Sequence, residues 1–524
     1  MNAKKSLETS SKTLKKNVTV AAVIVLMMNL VTKLLGFVRE VVVAQAFGAT
    51  MFTDAYVVAY TLPYSTQQVI GSAIVSVTVP LLTKYIVDQR DREANLAANY
   101  FINSTALLMT VIAFIGIIAA PLLVKITAPN LNDATAVLAV RMTRVMFPTI
   151  ILFCLGMVLT GILNAHRRFA AAAFAPAFSS IIIILFVVLT GNTLGIWGLA
   201  IGTVVSFVGF LLIQVPSSLA VGYRYTPCLP HHNEEIRTAL VSLLPIILGM
   251  SVNQIYYILN RFFASGLAEG SISSLNYGAK LAQLPSGIFV AAIAVAIYPL
   301  LSEYAIRDDL KNFEKSLEKG LGIIMLLAVP AAVGLMVLRI PIVRLLFEHG
   351  AFTADDTLMT ASSLLFYAVG LVAYSLIMVL LRVFFAFRDV KVPVIAGLGG
   401  VLANILVSLV TVGFMGHRGL ALATTVASIV NMLIFFFFIR KHLPEMVFRP
   451  FLFSCAKIIT ASLIMGMVVA LTDRLLAGNG ELLLICVSVF VAIIVYLLLM
   501  IVFRIREGRW LKEMILGKFS RSGS

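Results

Sequence analysis

The sequence predicts an all-α polytopic membrane protein with about 14 transmembrane helices, arranged as two pseudo-symmetric six-helix lobes plus two C-terminal helices. Composition is the first reason: 60% of the 524 residues are hydrophobic, only 12% are charged, and the mean hydropathy is +1.01. Long apolar runs are the second reason, and an internal repeat is the third. Runs such as 181–189 are continuously apolar, which excludes the alternating strands of a membrane barrel.

The apolar runs give the helices in order. They occupy 18–46, 54–86, 97–125, 137–165, 171–190, 194–221, 238–266, 274–304, 317–338, 357–387, 392–415, 418–439, 451–473 and 480–503. Because a bilayer core about 30 Å thick needs about 20 residues of helix, each run predicts one spanning helix. The first, second, eighth and tenth runs are longer, which predicts that those helices tilt or kink.

Positive charge alternates between successive connections. One set carries most of it: Lys84, Arg90, Arg92, Arg167, Arg168, Arg224, Arg237, Arg307, Lys311, Lys315, Lys319, Arg388, Lys391, Arg440, Lys441 and Arg449. The other set holds only Lys125, Arg339, Arg344, Arg418 and Arg474. Cytoplasmic loops are the basic ones in membrane proteins, so both termini are expected in the cytoplasm. This topology explains the net charge of +16 better than nucleic-acid binding does.

The internal repeat defines the expected domains. Leu62-Pro63 and 80–85 recur as Leu284-Pro285 and 299–304, and 198–203 recurs as 419–424. The resulting division is a tail at 1–17, an N-lobe at 18–221, a linker at 222–237, a C-lobe at 238–440, two further helices within 451–503 and a tail at 504–524. An even number of helices per repeat gives both lobes the same orientation, with a cavity expected between them.

Cations inside the apolar runs are the best clue to function: Lys33, Arg39, Arg261 and Lys280. A charge at mid-bilayer costs about 2.5 kcal/mol or more, so it usually faces a wet cavity or a partner. Several such cations predict an anionic cargo.

Two readings of Arg39 remain open. A kink at Gly36 would bring Lys33 and Arg39, about 120° apart on a regular helix, to one cavity. Alternatively, Arg39 pairs with Glu40 or Asp54 and has a structural role only.

The sequence gives little support for an enzymatic function or a metal site. There is no phosphate-binding glycine-rich loop and no aqueous segment large enough for a catalytic constellation, which favours transport over catalysis. The four cysteines, Cys154, Cys228, Cys455 and Cys486, lack metal-site spacing. The adjacent His231 and His232 have no third ligand nearby and are expected in a solvated loop. We therefore expect no cofactor, and the sequence is equally compatible with a coupling ion and with the membrane potential.

Several motifs resemble one known family. They are Leu35–Glu40, Phe47–Ala49, Thr53–Tyr56, Leu62-Pro63, Leu163–Ala165, Phe174–Pro176, Leu284–Gly287, Phe347–Thr353 and Phe387–Asp389, followed by Pro393. In this order they resemble the MurJ (MviN) lipid II flippases of the multidrug/oligosaccharidyl-lipid/polysaccharide exporter superfamily. The resemblance covers nearly the whole chain.

The resemblance implies a flippase of the bacterial cytoplasmic membrane that serves peptidoglycan biosynthesis and cell shape. Such proteins move the undecaprenyl-diphosphate-linked precursor lipid II to the outer leaflet by alternating access. Cations of the first, second and eighth helices surround the diphosphate in the family. The matching residues here are Lys33, Arg39 and Lys280, with Asp54 as the acidic member; Glu40 and Arg261 are added from the charge pattern.

The sequence departs from the family pattern at three positions. Gln67 stands where the family usually has an arginine, and Lys33 and Lys280 stand where arginine is common. Lysine keeps the charge but loses the bidentate fork, and glutamine loses the charge. Gln67 therefore keeps a rival open, a flippase for another polyprenyl-diphosphate glycan such as a capsule, O-antigen or spore precursor.

Two other rivals are weaker. A cation-coupled multidrug exporter would need more acidic residues than Asp54 and Glu40, and a membrane glycosyltransferase would need catalytic loops. The expected partners are a lipid-linked diphosphate oligosaccharide and the bilayer, without nucleic acid, and the expected state is a monomer.

Overall fold

The computed structural model describes residues 27–227, 234–447, 449–476, 478 and 480–509. The expected N-terminal tail at 1–17, the pair His231 and His232, Cys228 and most of the C-terminal tail lie outside the described residues. Helices and their connections make up all of the described part, and no residue in it is in a strand. The predicted all-α fold class is confirmed.

In the described part of the chain, ten helices precede Ser265. Helix α1 is described over 27–47. It is followed by α2 (Met51–Val87), α3 (Asp91–Ile118), α4 (Ala120–Thr127), α5 (Asp133–Met146), α6 (Thr149–Ala165), α7 (Phe169–Leu194), α8 (Ile196–Leu212), α9 (Val215–Ala220) and α10 (Glu234–Ala264).

Nine more α-helices follow within the described residues between Ser265 and Phe503, and residues 506–509 are also helical. The nine helices are α11 (Ser271–Pro285), α12 (Ala291–Ile306), α13 (Leu310–Val337), α14 (Arg339–Phe347), α15 (Ala354–Ala386), α16 (Lys391–Met415), α17 (His417–Ile439), α18 (Arg449–Leu475) and α19 (Glu481–Val502). A π-helical turn, Ser286–Val290, joins α11 to α12.

The count of spanning helices agrees roughly with the sequence. Within the described residues, 12 helices are long and apolar enough to cross a membrane, and α10 makes 13 if its two segments, bent by 44°, form one span. Helix α1 is the remaining predicted span, and its expected start lies outside the described residues. The predicted fourth span consists of α5 and α6, which meet at Pro148, where a proline removes a backbone donor.

Contacts divide the described chain into two compact units. The first extends to Ile258, and the second begins at Leu259 and includes Gly48–Thr50. Phe101 and Phe147 are buried in the core of the first unit. Phe313 and Phe384 are buried in the core of the second. Each unit thus has its own apolar core.

The sequence repeat is also a repeat of backbone conformation. Left-handed residues recur in pairs: Gln89 (φ 57°) with Asp308 (φ 54°), Arg167 (φ 59°) with Arg388 (φ 57°), and Gly195 (φ 55°) with Gly416 (φ 59°). The members of each pair are 219 or 221 positions apart. Left-handed non-glycine residues are uncommon, so their recurrence is specific evidence for one template used twice.

Helices α18 and α19 pack within the second unit. The Tyr496 hydroxyl donates to the Leu326 carbonyl at 2.9 Å, which joins α19 to α13. Just beyond α19, the guanidinium of Arg506 contacts both Glu318 and the fully buried Glu507. These contacts fix the end of the described chain against α13.

The charge alternation predicts that the connection after α10 and the one before α13 face opposite sides of the membrane. Ala268 and Lys311 are both exposed. In a variant without native cysteines, Ala268→Cys should react with an impermeant thiol reagent from outside the cell, and Lys311→Cys only after permeabilisation, because basic loops stay inside. Labelling of both from the same side would contradict the predicted topology.

Candidate functional site

Arg39 and Glu40 form an ion pair in α1. The Arg39 Nη2 lies 2.6 Å from the Glu40 Oε1, and the side chains are 30% and 12% exposed. Because neighbouring residues on a helix point in different directions, this pair forms only through the length of the arginine side chain. The structural partner that the sequence offered for Arg39 is therefore present. It leaves most of the guanidinium's five N–H donors for other groups.

Lys33 and Asp54 both belong to the first unit. Lys33 is exposed on α1, which is helical throughout 27–47 with Gly36 inside it. Asp54 is buried in the first turn of α2. A carboxylate there is favoured by the unpaired N–H groups at a helix start.

Gln67 is enclosed within the first unit. Only 1% of its surface is exposed. Its amide donates to the Thr149 hydroxyl at 2.7 Å, and its carbonyl accepts from the Tyr60 hydroxyl at 3.4 Å. The glutamine thus joins α2 to the start of α6 as a hydrogen-bonded core residue.

A row of tyrosines was missed by the sequence reasoning. Tyr56, Tyr60 and Tyr64 follow one face of α2, with ring centroids 6.1 Å and 5.5 Å apart. Tyr257 of α10 continues the row 6.2 Å from Tyr64. The first two rings lie within electrostatic range of Arg39. The spacing of four residues was the available signal, since such positions share a helix face.

Arg261 is buried in the last turn of α10. It is 7% exposed. Its guanidinium donates to the Ile272 carbonyl and to the Asn276 side chain, both at 3.4 Å. These bonds tie α10 to the first turns of α11 in the second unit.

Lys280 lies in the middle of α11 and is half-buried. Within the described ranges, no hydrogen bond or ion pair forms at its ammonium. The length of the eighth run predicted a tilt or a kink in this span, and just after Pro285 α11 continues through the π-helical turn Ser286–Val290 into α12. A π-turn re-satisfies the backbone that proline disrupts, and such turns are frequent at functional sites.

Arg382 is a further cation in an apolar span that the sequence reasoning passed over. It lies in α15, and its guanidinium carbon is 5.5 Å from the centroid of the Tyr298 ring of α12. An aromatic face stabilises a cation in an apolar setting. The sequence did contain a signal for it, because Arg382 is a lone charge near the end of the apolar run 357–387.

The predicted site residues therefore fall into two groups. Lys33, Arg39, Glu40, Asp54 and Gln67 belong to the first unit, and Arg261 and Lys280 belong to the second. The described residues contain no group of three or more His, Cys, Asp or Glu side chains placed to hold a metal ion. Cys154 and Cys455 are buried as free thiols.

This combination defines a class: an α-helical, multi-pass membrane transporter with cations held inside its spans. The model of the family "Lipid II flippase MurJ" matches residues 43–508. The chain belongs to that family.

Relatives and solved structures agree with this assignment. The lipid II flippase MurJ of Burkholderia cenocepacia is 30% identical over 427 residues, covering 79% of this chain and 82% of the relative. A solved lipid II flippase MurJ in an inward closed conformation is 28% identical, with a TM-score of 0.79 over 92% of this chain and 99% of its own. An inward-facing multidrug resistance transporter of the MATE family shares the fold at 16% identity, with a TM-score of 0.67 over 81% of this chain and 98% of its own.

The enclosure of Gln67 generates a stability prediction. Gln67→Arg should lower the thermal unfolding temperature of the purified protein strongly, because it places a charge without a partner where a neutral amide is satisfied. Gln67→Met, which keeps the size, should cost about 1–3 kcal/mol, because the Tyr60 hydroxyl loses its acceptor and the Thr149 hydroxyl keeps only its bond to the Met146 carbonyl. If the arginine variant unfolds at the wild-type temperature, position 67 is not the closed site described here.

Proposed function

We propose that this protein moves lipid II across the bacterial cytoplasmic membrane as a flippase, without catalysing a covalent reaction. The observation that carries the proposal is the family match over residues 43–508. The structure adds cations inside the spans of both units, which suit a diphosphate cargo. The basic loops support cytoplasmic termini. The chain is proposed to work as a monomer, without nucleic acid and without a cofactor.

Arg39 is proposed to contact the diphosphate while it remains paired with Glu40. The pair is close to neutral as a unit, which lowers the cost of holding it inside an apolar span. Its geometry uses one nitrogen of the guanidinium. The remaining donors present the planar fork that binds phosphate oxygens.

Lys280 is proposed as the second unit's contribution to the diphosphate. Since no carboxylate of the described chain pairs with it, Lys280 brings a full positive charge rather than a neutralised one. Arg261 has a different role in this proposal, because its guanidinium is already engaged with α11. We assign Arg261 to positioning the helix that carries Lys280.

The departure at Gln67 does not favour a different glycan. An arginine lost from a cargo-contacting surface would alter the cargo, but Gln67 is enclosed and bonded to Thr149. The rival flippase for another polyprenyl-diphosphate glycan therefore loses the feature that supported it. Depletion of the protein in its host should accumulate lipid II, and accumulation of a different lipid-linked precursor would return the rival.

A pair of variants separates the two roles of Arg39. Arg39→Gln alone removes a cargo contact and also breaks the ion pair with the Glu40 carboxylate. Arg39→Gln combined with Glu40→Gln removes both charges, so it relieves the buried carboxylate. Both variants should fail to support growth after depletion of the wild-type protein, although the double variant should reach normal levels in the membrane.

The double variant distinguishes a cargo-binding role of Arg39 from a purely structural one. If it supports growth, Arg39 serves only to neutralise Glu40. Glu40→Gln alone is the matched control: with Arg39 retained, transport should persist at least in part.

Substitutions at Lys280 test whether charge or shape matters in α11. Lys280→Arg should retain transport because it keeps the positive charge, whereas Lys280→Met, of similar length but neutral, should lose it. Growth after depletion and the membrane level of each variant are the measurements. Equal activity of the two variants would remove Lys280 from the proposed site.

A further inference from the structure

A cavity in the first unit lies at the connection between α6 and α7. Its volume is about 250 Å³, and Arg167, Arg168 and Phe169 line it together with Ser217 and Ala220 of α9. Both helices are apolar spans that end here, so the cavity lies at the boundary between membrane and water. Its lining is otherwise mostly apolar.

The two arginines at this cavity have no counter-ion among the described residues. Both are exposed, and among the described residues no hydrogen bond or ion pair forms at either guanidinium. The lining contains no carboxylate. Two adjacent cations beside a cavity repel each other unless an anion neutralises them.

The repeat shows what occupies the corresponding place in the second unit. Arg167 corresponds to Arg388, and both have left-handed backbones. The local hydrogen bonds also correspond: Arg168 N donates to the Leu163 carbonyl, and Asp389 N donates to the Phe384 carbonyl, each at 2.8 Å. Position 168 in the first unit is thus position 389 in the second, with an arginine in place of an aspartate.

Asp389 supplies an internal anion. Its carboxylate accepts from the Lys391 backbone at 3.2 Å and contacts Lys441 at 3.2 Å and His442 at 3.1 Å. Burial disfavours this carboxylate, but the hydrogen bonds from His442 and Lys441 outweigh it and hold its pKa below the ordinary value. At the same offset, Lys441 and His442 correspond to Ala220 and Val221.

The first unit therefore has the cavity where the second unit has side chains. Ala220 replaces a lysine, and the carboxylate of Asp389 has no counterpart. We propose that the phosphate head group of an anionic membrane phospholipid binds this cavity between Arg167 and Arg168, in the position that Asp389 occupies in the second unit. The charge is complementary, and the apolar lining at the membrane boundary suits the start of an acyl chain.

The test measures thermal unfolding of the full-length protein with added lipid. Phosphatidylglycerol should raise the unfolding temperature more than phosphatidylcholine does, because a ligand that binds only the folded state stabilises it. Arg167→Gln with Arg168→Gln should lose most of this difference. The matched control is Arg141→Gln with Arg144→Gln, which removes two exposed arginines elsewhere and should keep it. If both double variants lose the extra stabilisation by phosphatidylglycerol equally, the effect comes from general surface charge and the proposed site is wrong.

A substitution that copies the second unit is the sharper test. Arg168→Asp should remove the extra effect of phosphatidylglycerol, since it places a carboxylate beside Arg167 where the lipid phosphate is proposed to bind. An unchanged response to phosphatidylglycerol in this variant would refute the proposal. Glycerol phosphate, which lacks acyl chains, should not reproduce the lipid effect at the same concentration; if it does, a soluble anion and not a lipid is the occupant.

Discussion

Charged and polar groups inside apolar spans are costly unless a partner stabilises them, and this constraint shapes both units. A lone charge in hydrocarbon costs several kcal/mol, and so does an unpaired polar group. Arg39 meets the requirement with Glu40, Arg261 with the start of α11, and Gln67 with Thr149. These solutions also position side chains, because each bond joins two elements or limits the freedom of a long side chain.

The same constraint explains how residues of one type take different roles. Arg261 uses its donors on protein groups, so it holds α10 against α11. Lys280, a few turns later, has no partner in the described chain and retains its full charge. A cargo anion interacts most strongly with charge that the protein has not already neutralised. A cation that already donates to protein groups therefore positions helices, whereas a cation without such partners can bind cargo. Its depth in the span matters less.

Duplication provides one backbone template with two sets of side chains. The left-handed positions and their local hydrogen bonds recur at a nearly constant offset. The backbone geometry is the same at corresponding positions of the two units. Where the residues there differ, only the chemistry of the side chain changes. At the connections after α6 and α15, an arginine and an aspartate occupy the same backbone position, so among the described residues the second unit supplies a carboxylate there and the first unit does not. The units share a backbone template and differ in the charge that they carry at this connection.

Much of this protein is determined by sequence. Apolar run length sets the number of spans, since the bilayer thickness sets helix length, and the family follows from motifs that include Leu35–Glu40 and Phe347–Thr353. The repeat was also visible in sequence. The π-turn after Pro285 was not, because proline permits either a break or a local rewinding. The enclosure of Gln67 was likewise hidden: residue type does not tell which helix face meets a neighbour, and only packing against Thr149 and Tyr60 decided it. Whether an intramembrane charge finds a partner depends on where each side chain packs in three dimensions: Arg39 reaches its neighbour Glu40, whereas Lys280 reaches no carboxylate of the described chain. For that physical reason the tertiary structure, and not the sequence, decided which cations are neutralised.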